Sequence, residues 1–214
     1  MLLRFRKEAQ EMPRGLKSLG LALFCGAATA LCLPRPGLCF LAWFSLAPLF
    51  LLWRKPCAGL RAALIGFLAG FGFHGTALYW IYDTCRFAGL HPVVGLLAWS
   101  ALAAVLAVNW AVIGWLGSRL TLAAPQALRP WLWALAWTAV TVTTERWTPR
   151  LGVDLLAYTQ WRHLSLLQLG AWAGPHALGF LIVLVNASLR GGRNLALALS
   201  LVVLAWGQGA FELS

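Results

Sequence analysis

Reactive side chains are few in this sequence, and one short stretch holds several of them together. Asp83, Cys85, Arg86 and His91 lie within nine residues. A cysteine nucleophile needs an adjacent base at neutral pH, so His91 could serve Cys85 as the base while Asp83 orients the imidazole. The alternative, which is the commoner one for such a grouping in one short loop, is an ordinary polar loop.

The sequence around this stretch is that of an integral membrane protein. Hydrophobic residues make up 61% of the 214 residues and charged residues 11%, and the mean hydropathy is +0.76. An ordinary soluble domain carries about 25% charged residues. Helices are favoured over strands, because lipid offers no water to satisfy an open sheet edge. We therefore predict an all-α, polytopic membrane helix bundle.

Seven segments qualify as candidate transmembrane helices, since a spanning helix needs about 20 mostly apolar residues. They cover 16–33, 37–53, 60–82, 92–122, 130–144, 163–189 and 195–211. Residues 1–15 form a basic cytoplasmic tail, and 16–214 form a single transmembrane domain. Segment 92–122 would be about 46 Å long as a helix, so it must tilt, break near Gly95 or extend past the membrane. Segment 163–189 contains Gly174 and Pro175 and is predicted to be kinked.

The distribution of positive charge predicts the orientation. The formal charge is +11, from 17 Lys and Arg against 6 Asp and Glu. Such a basic chain could bind nucleic acid or anionic lipid. With the N-terminus in the cytoplasm, however, twelve Lys and Arg lie inside and five outside, as the positive-inside bias requires. We interpret the charge as a topology signal, with no nucleic-acid partner, and seven spans then place the C-terminus outside.

The stretch 66–89 is the one around which we expect the other helices to pack. Ala62, Gly66 and Gly70 recur at four-residue spacing, so they share a helix face, and small residues let two membrane helices approach closely. The helix leads into the aromatic cluster 78–82, a composition typical of the membrane interface. His74, within this helix, either binds a headgroup or hydrogen-bonds to a neighbouring helix.

The cysteines predict no metal site. Cys25, Cys32, Cys39, Cys57 and Cys85 form no CxxC pair, and four of them lie in or beside apolar segments, where cysteine behaves as a small hydrophobic residue. We predict no metal and no other cofactor. The basic start followed by an apolar run could also be a signal peptide, but the run exceeds a usual signal core and no small-x-small cleavage site follows it.

Three blocks of sequence, in order along the chain, carry a family resemblance. The first contains Gly66, Phe67, Gly70, Gly72, Trp80, Phe87 and Gly89; the second runs from Glu145 through Gly152 to Tyr158, Thr159 and Gln160; the third runs from Gln168 through Gly174 and Leu178 to Phe180 and Asn186. Together with the Leu33-Pro34 turn and segment 46–49, these blocks resemble the apolipoprotein N-acyltransferase family. The resemblance covers nearly the whole chain, although Val153 and Asp154 stand where the family usually has Phe-Pro-Trp.

The resemblance implies a seven-span domain of the bacterial inner membrane that receives phospholipid and diacylglyceryl-modified lipoprotein from the outer leaflet. In that family a Glu, Lys and Cys triad in a following nitrilase-like domain carries the acyl chain as a thioester. This chain stops at Ser214, where that domain would begin, and its lysines, Lys7, Lys17 and Lys55, all lie on the predicted cytoplasmic side. We therefore expect no catalytic residue in this chain, which is then inactive without a separate nitrilase-like subunit.

The same resemblance implies four substrate-binding residues, Trp80, Glu145, Tyr158 and Gln160. The residues themselves leave alternatives open. Glu145 is followed by Arg146 and Arg150, either of which could pair with it. Tyr158 and Gln160 could line a lipid-facing loop or simply anchor that loop at the membrane interface.

Two functions remain open at this point. In the first, the chain is the membrane half of a system that transfers an acyl chain from phospholipid to the N-terminal diacylglyceryl-cysteine of lipoproteins. In the second, it is a lipid-binding or transport-like membrane protein without acyltransferase activity. A neighbouring reading frame for a nitrilase-like protein would favour the first, and a solvent-accessible polar path between the helices would favour the second.

Overall fold

The fold is helical throughout the residues that the structure, a computed structural model, describes: 2–34, 36–53, 59–145, 155–189 and 191–213. The all-α prediction is thus confirmed for this part of the chain. Its α-helices are α1 (Leu2–Ala30), α2 (Ala47–Trp53), α3 (Gly59–Ala77), α4 (Trp80–Phe87), α5 (Pro92–Leu122), α6 (Arg129–Thr144), α7 (Leu164–Leu167), α8 (Leu169–Ala173), α9 (Pro175–Ser188) and α10 (Gly192–Glu212). Two 3-10 helices, η1 (Cys39–Trp43) and η2 (Leu156–Gln160), complete it.

Helices occur in each of the seven predicted segments, but the structure does not confirm that all seven are membrane spans. In the described part of the chain, α5 and α10 are each long and apolar enough to cross a membrane. Up to four helices or bent helix pairs meet this criterion if α3 with α4, and α7–α8 with α9, each count as one span. Segment 37–53 is not one helix, because a turn at 44–46 separates η1 from α2. Helix α1 begins at Leu2, so it includes the predicted tail.

Helix α3 is the central helix, packed against α5 on one side and α1 on the other. A methyl group at Gly66 would overlap the Trp110 carbonyl of α5, and one at Gly70 would lie 2.8 Å from the Trp110 Cβ. On the α1 side, a methyl group at Gly72 would overlap the Leu23 carbonyl. The predicted small-residue face is confirmed, and it brings the two backbones into contact as small residues do in lipid.

Two bends interrupt the described helices, and one of the three alternatives for segment 92–122, a break near Gly95, does not occur. The axis turns by 46° between α3 and α4, and by 117° between α8 and α9, which confirms the predicted kink near Gly174. Gly174 has φ 76° and ψ 166°, a conformation that residues with a Cβ rarely adopt. By contrast, α5 runs unbroken through Gly95.

The bundle has two ends, which are named here by the two ends of α6. At the Glu145 end, α6 stops and α9 begins; at the Arg129 end, α6 begins and α9 stops, about 24 Å away for a helix of 16 residues. Helix α3 starts near the Arg129 end, because its Ala62 carbonyl accepts a hydrogen bond from the Trp53 indole at 3.0 Å. The ring of Trp53 stacks on that of Trp133 in α6, with centroids 4.6 Å apart. Helix α4 therefore lies at the Glu145 end.

Candidate functional site

One backbone segment, η1, does not form a complete α-helix and so needs partners for its polar groups. One partner is Gln160, which is completely buried. Its Nε2 donates to the Cys39 carbonyl at 2.8 Å, and its Oε1 accepts from the Trp43 indole N–H at 3.2 Å. Gln160 thereby joins η1 to η2 across the bundle.

The second partner is Asn186 on α9, also buried. Its Nδ2 donates to the Ala42 carbonyl at 2.8 Å, and its Oδ1 accepts from the Leu46 N–H at 3.0 Å. Irregular backbone inside an apolar bundle is tolerated only where protein groups satisfy it. The two amides meet this need, and we call Gln160 and Asn186 the amide brace.

A polar pair closes the contact between α6 and α9 at the Glu145 end. The Oε2 of Glu145 lies 3.0 Å from the Nε2 of His176. The side chains of Glu145 and His176 are 35% and 17% exposed, respectively, so the pair is half-buried. The interaction is an ion pair when the imidazole is protonated and a hydrogen bond when it is neutral. The sequence analysis offered Arg146 and Arg150 as partners of Glu145. Both arginines lie outside the described residues.

The position of His176 follows from the two residues before it. Gly174 takes the left-handed backbone conformation that reverses the chain after α8. Pro175 then occupies the first position of α9, where its fixed φ suits a helix start and its missing N–H has no cost. The sequence analysis predicted the kink but not His176 as the partner of Glu145. The signal that could have found it is the Gly-Pro-His order, which places the histidine at a fixed helix start.

Aromatic side chains are exposed on several elements at the Glu145 end. They are Tyr79, Trp80 and Phe87 on or beside α4, Tyr158 and Trp161 on or beside η2, and Trp172 on α8. We call this set the aromatic rim. Exposed tryptophan and tyrosine are typical of the level where lipid headgroups meet acyl chains. Arg162 adds a positive charge there, its guanidinium 4.9 Å from the centroid of the Trp161 ring.

The four residues predicted to bind substrate differ in exposure and in the helices that they lie beside. Tyr158 is exposed on η2, and Gln160 on the same element is buried in the amide brace. Because η2 packs on α9, these two lie beside the helix that carries the partner of Glu145. Trp80 is half-exposed on α4, which packs along α5 instead. The structure thus places Tyr158 and Gln160 on an element that packs on α9, and Trp80 on one that packs on α5.

The stretch around Cys85 is a helix rather than a loop. Cys85 lies on α4, with its Cβ 3.2 Å from where a methyl group on Gly95 of α5 would stand. His91 caps α5, and its Nδ1 accepts from the Val93 N–H at 3.3 Å. Among the described residues, no hydrogen bond joins Cys85 to His91 or to Asp83. The geometry therefore does not assemble a nucleophile with its base here.

Comparison with known proteins decides the family. The model of the apolipoprotein N-acyltransferase N-terminal domain matches residues 25–188. The chain belongs to the apolipoprotein N-acyltransferase family. The range matched by this family model reaches from within α1 to the end of α9, so it contains the amide brace, the Glu145–His176 pair and all of the aromatic rim. The resemblance seen in the sequence is confirmed.

Curated family members share about a third of their residues with the chain over the aligned part. An apolipoprotein N-acyltransferase of Nostoc sp. is 33% identical over 191 residues, which is 77% of this chain and 36% of the relative. That of Geobacter metallireducens is 32% identical over 177 residues, 79% of this chain and 32% of the relative. That of Nitrosomonas europaea is 35% identical over 133 residues. The chain thus spans about a third of the length of the first two relatives.

Proposed function

We propose that the chain is the membrane half of an apolipoprotein N-acyltransferase system in the bacterial inner membrane. It binds phospholipid and diacylglyceryl-lipoprotein at its Glu145 end and presents them to the groups that carry out acyl transfer. The observation that carries this proposal is the composition of that end: a half-buried carboxylate and imidazole, 3.0 Å apart, and exposed aromatic side chains on several elements, all within the region that matches the family.

The orientation that this function requires is seven crossings, with the N-terminus in the cytoplasm and the C-terminus outside. Support comes from the order of the helices. The Glu145 end carries α4, the starts of α5 and α9, and the end of α6, as expected for a chain whose successive spans cross the membrane in opposite directions. The Arg129 end carries Arg119, Arg129 and Arg193 in the described residues, and a basic end faces the cytoplasm under the positive-inside bias. The Glu145 end then faces the outer leaflet, where lipoproteins are modified.

Each of the four proposed binding residues has a chemical task in this scheme. The rings of Trp80 and Tyr158 contact acyl chains and the glycerol region, as exposed aromatic residues at an interface do. The Glu145 carboxylate attracts the N-terminal ammonium group of the lipoprotein through a charge-assisted hydrogen bond. Gln160 acts indirectly, because its amide is engaged by η1; it fixes the element that presents Tyr158.

The acyl-transfer step itself is proposed to take place on a nitrilase-like subunit at the Glu145 end. Among the described cysteines, Cys85 is the one that is not buried. It has no hydrogen bond to a base in the described part of the chain, and the three lysines belong to the other side of the proposed topology. A cysteine thioester needs an activated thiolate. The chain therefore supplies binding and orientation, and the subunit supplies the Glu, Lys and Cys.

A binding experiment tests this function. The purified chain in lipid nanodiscs is titrated with a fluorescent diacylglyceryl lipopeptide, and Tyr158→Ala is compared with Trp115→Ala. Both side chains are 46% exposed, but Trp115 lies on the half of α5 nearer the Arg129 end. We expect Tyr158→Ala to weaken binding about fivefold, since truncating a contact aromatic costs about 1 kcal/mol, and Trp115→Ala to leave it unchanged. Equal effects of the two variants would contradict a site at the Glu145 end.

An activity assay separates the two functions that the sequence left open. With phospholipid and lipopeptide, we expect no acyl mass shift from the chain alone, and a mass shift after a nitrilase-like subunit is added. Binding without transfer in both cases would favour the lipid-binding or transport-like alternative. A mass shift from the chain alone that Cys85→Ser abolishes would contradict the proposal that this chain binds the substrates and a separate subunit transfers the acyl chain.

A further inference from the structure

A cavity of about 370 Å³ opens at the Arg129 end of the bundle. It lies where α2, α5 and α9 end and α6 and α10 begin. Its inner wall is aromatic, formed by Phe50 and the stacked pair Trp53 and Trp133. Its outer wall is polar and carries two arginines, Arg129 and Arg193. The cavity is about one α6 length away from the Glu145 end and is separate from the site proposed there.

The charges around this cavity are positive. Arg129 is held at its wall because its Nε donates to the Ala124 carbonyl at 3.1 Å. No Asp or Glu occurs among the described residues that line the cavity. The first turns of α6 and α10 also line it, and the N–H groups of a helix start favour an anion. The start of α10 is fixed by Asn194, whose Nδ2 donates to the Ala127 carbonyl at 3.0 Å.

A buried hydroxyl at the cavity wall provides an independent observation. Ser188, the last residue of α9, is 1% exposed. Its Oγ has no hydrogen-bond partner in the part of the chain that the structure describes. A buried hydroxyl without a partner costs free energy, and an O–H group is a suitable donor to an anionic oxygen. A ligand with such an oxygen would satisfy Ser188 in a cavity that Arg129 and Arg193 also line.

We propose that this cavity binds the headgroup of an anionic glycerophospholipid from the leaflet at the Arg129 end. The phosphodiester contacts Arg129, Arg193 and Ser188. The volume suits a headgroup and not two acyl chains, so the chains lie outside against exposed apolar surface such as Leu122. Basic pockets between helices on the cytoplasmic side of a membrane favour anionic headgroups in this way. The lipid would then link α10 to α6 and α9 from a position remote from the acyl-transfer end.

Native mass spectrometry of the detergent-solubilised full chain tests the proposal. The protein is titrated with phosphatidylglycerol or phosphatidylcholine of the same acyl chains, and the lipid-bound fraction is measured. We expect one phosphatidylglycerol to bind at least about fivefold more tightly than phosphatidylcholine, the effect of about one arginine near an anionic lipid. Arg193→Gln should remove most of this preference, and the nearly isosteric Ser188→Ala should weaken phosphatidylglycerol binding about threefold.

The matched control is Arg119→Gln. Arg119 lies at the same end of the bundle, but its guanidinium stacks on Trp115, 5.9 Å from the ring centroid, and it does not line the cavity. Circular dichroism establishes that the variants keep their helical content. Equal binding of the two lipids, or equal losses in Arg119→Gln and Arg193→Gln, would overturn the proposal. Complete displacement of the lipid by an equal concentration of glycerol phosphate would also overturn it, because a free phosphate would then be the ligand.

Discussion

The Oε2 of Glu145 lies 3.0 Å from the Nε2 of His176, although 31 residues separate the two in sequence. The contact closes the Glu145 end of the α6–α9 pair and places a carboxylate and an imidazole at the same end of the bundle as the aromatic rim. Glu145 is the C-cap of α6, and His176 lies in the first turn of α9. The contact between their side chains therefore depends on how those two helix ends are positioned.

The pair should show a small but real coupling free energy. In a double-mutant cycle of Glu145→Ala and His176→Ala, we expect a coupling of about 0.5 kcal/mol, because the pair is partly exposed and solvent screens it. The free energy of unfolding is measured by denaturation with SDS in mixed micelles. Strictly additive effects of the two substitutions would show that the side chains do not interact in the folded protein.

The amide brace should contribute more to stability than an exposed amide. Gln160→Leu leaves the Cys39 carbonyl and the Trp43 indole without their partner in an apolar interior, so we expect a loss of about 1–3 kcal/mol in the free energy of unfolding. Gln208→Leu is the control, because its side chain is exposed and donates to Glu212 in the same helix; its effect should stay within about 0.5 kcal/mol. The same loss in both variants would mean that the brace has no special role.

The contact between α3 and α5 should not tolerate a methyl group. Gly66→Ala places a Cβ on the Trp110 carbonyl, and we expect it to destabilise the fold by about 1–3 kcal/mol. Gly20→Ala is the control on α1, where nothing lies within 4 Å of the added methyl; it should be neutral or stabilising by up to about 1 kcal/mol. A neutral Gly66→Ala would show that the helices are farther apart than described.

The reversal before α9 depends on the backbone conformation of Gly174. No atom lies within 4 Å of a Cβ at Gly174, but its φ is +76°. Gly174→Ala therefore tests backbone strain without a steric clash. We expect this strain to lower the free energy of unfolding by about 1–3 kcal/mol. Gly192→Ala is the control, since it also has open space and no positive φ. Lipopeptide binding should fall in Gly174→Ala, because α9 carries His176. Identical stability and binding in the two variants would contradict this role.

Local patterns in the sequence were sufficient to predict the helical class, the small-residue face of α3 and the kink at Gly174. Each depends on residues close together along the chain, such as Gly66 and Gly70 at four-residue spacing. The pairing of Glu145 with His176 and the brace from Gln160 to Cys39 could not be predicted in this way. Both join residues far apart in sequence, and their geometry depends on how η1, η2 and α9 pack.

The length of the second segment was wrong for a related reason. Residues 37–53 are apolar enough to suggest one helix, yet the chain forms η1, a turn and α2. A hydropathy pattern does not reveal that Gln160 and Asn186 can satisfy an irregular backbone from other elements. The sequence also gave no indication of the cavity at the Arg129 end, because its walls come from five helices.

Cysteine accessibility in intact cells tests most directly whether the Glu145 end faces the outer leaflet. In a chain whose five native cysteines are replaced by alanine, Tyr158→Cys and Gln126→Cys place one thiol at each end of the bundle, both at exposed positions. We expect a membrane-impermeant maleimide to label Tyr158→Cys in intact cells and Gln126→Cys only after the membrane is permeabilised. Labelling of Gln126→Cys in intact cells, with Tyr158→Cys protected until permeabilisation, would place the proposed lipoprotein site in the cytoplasm and contradict the function.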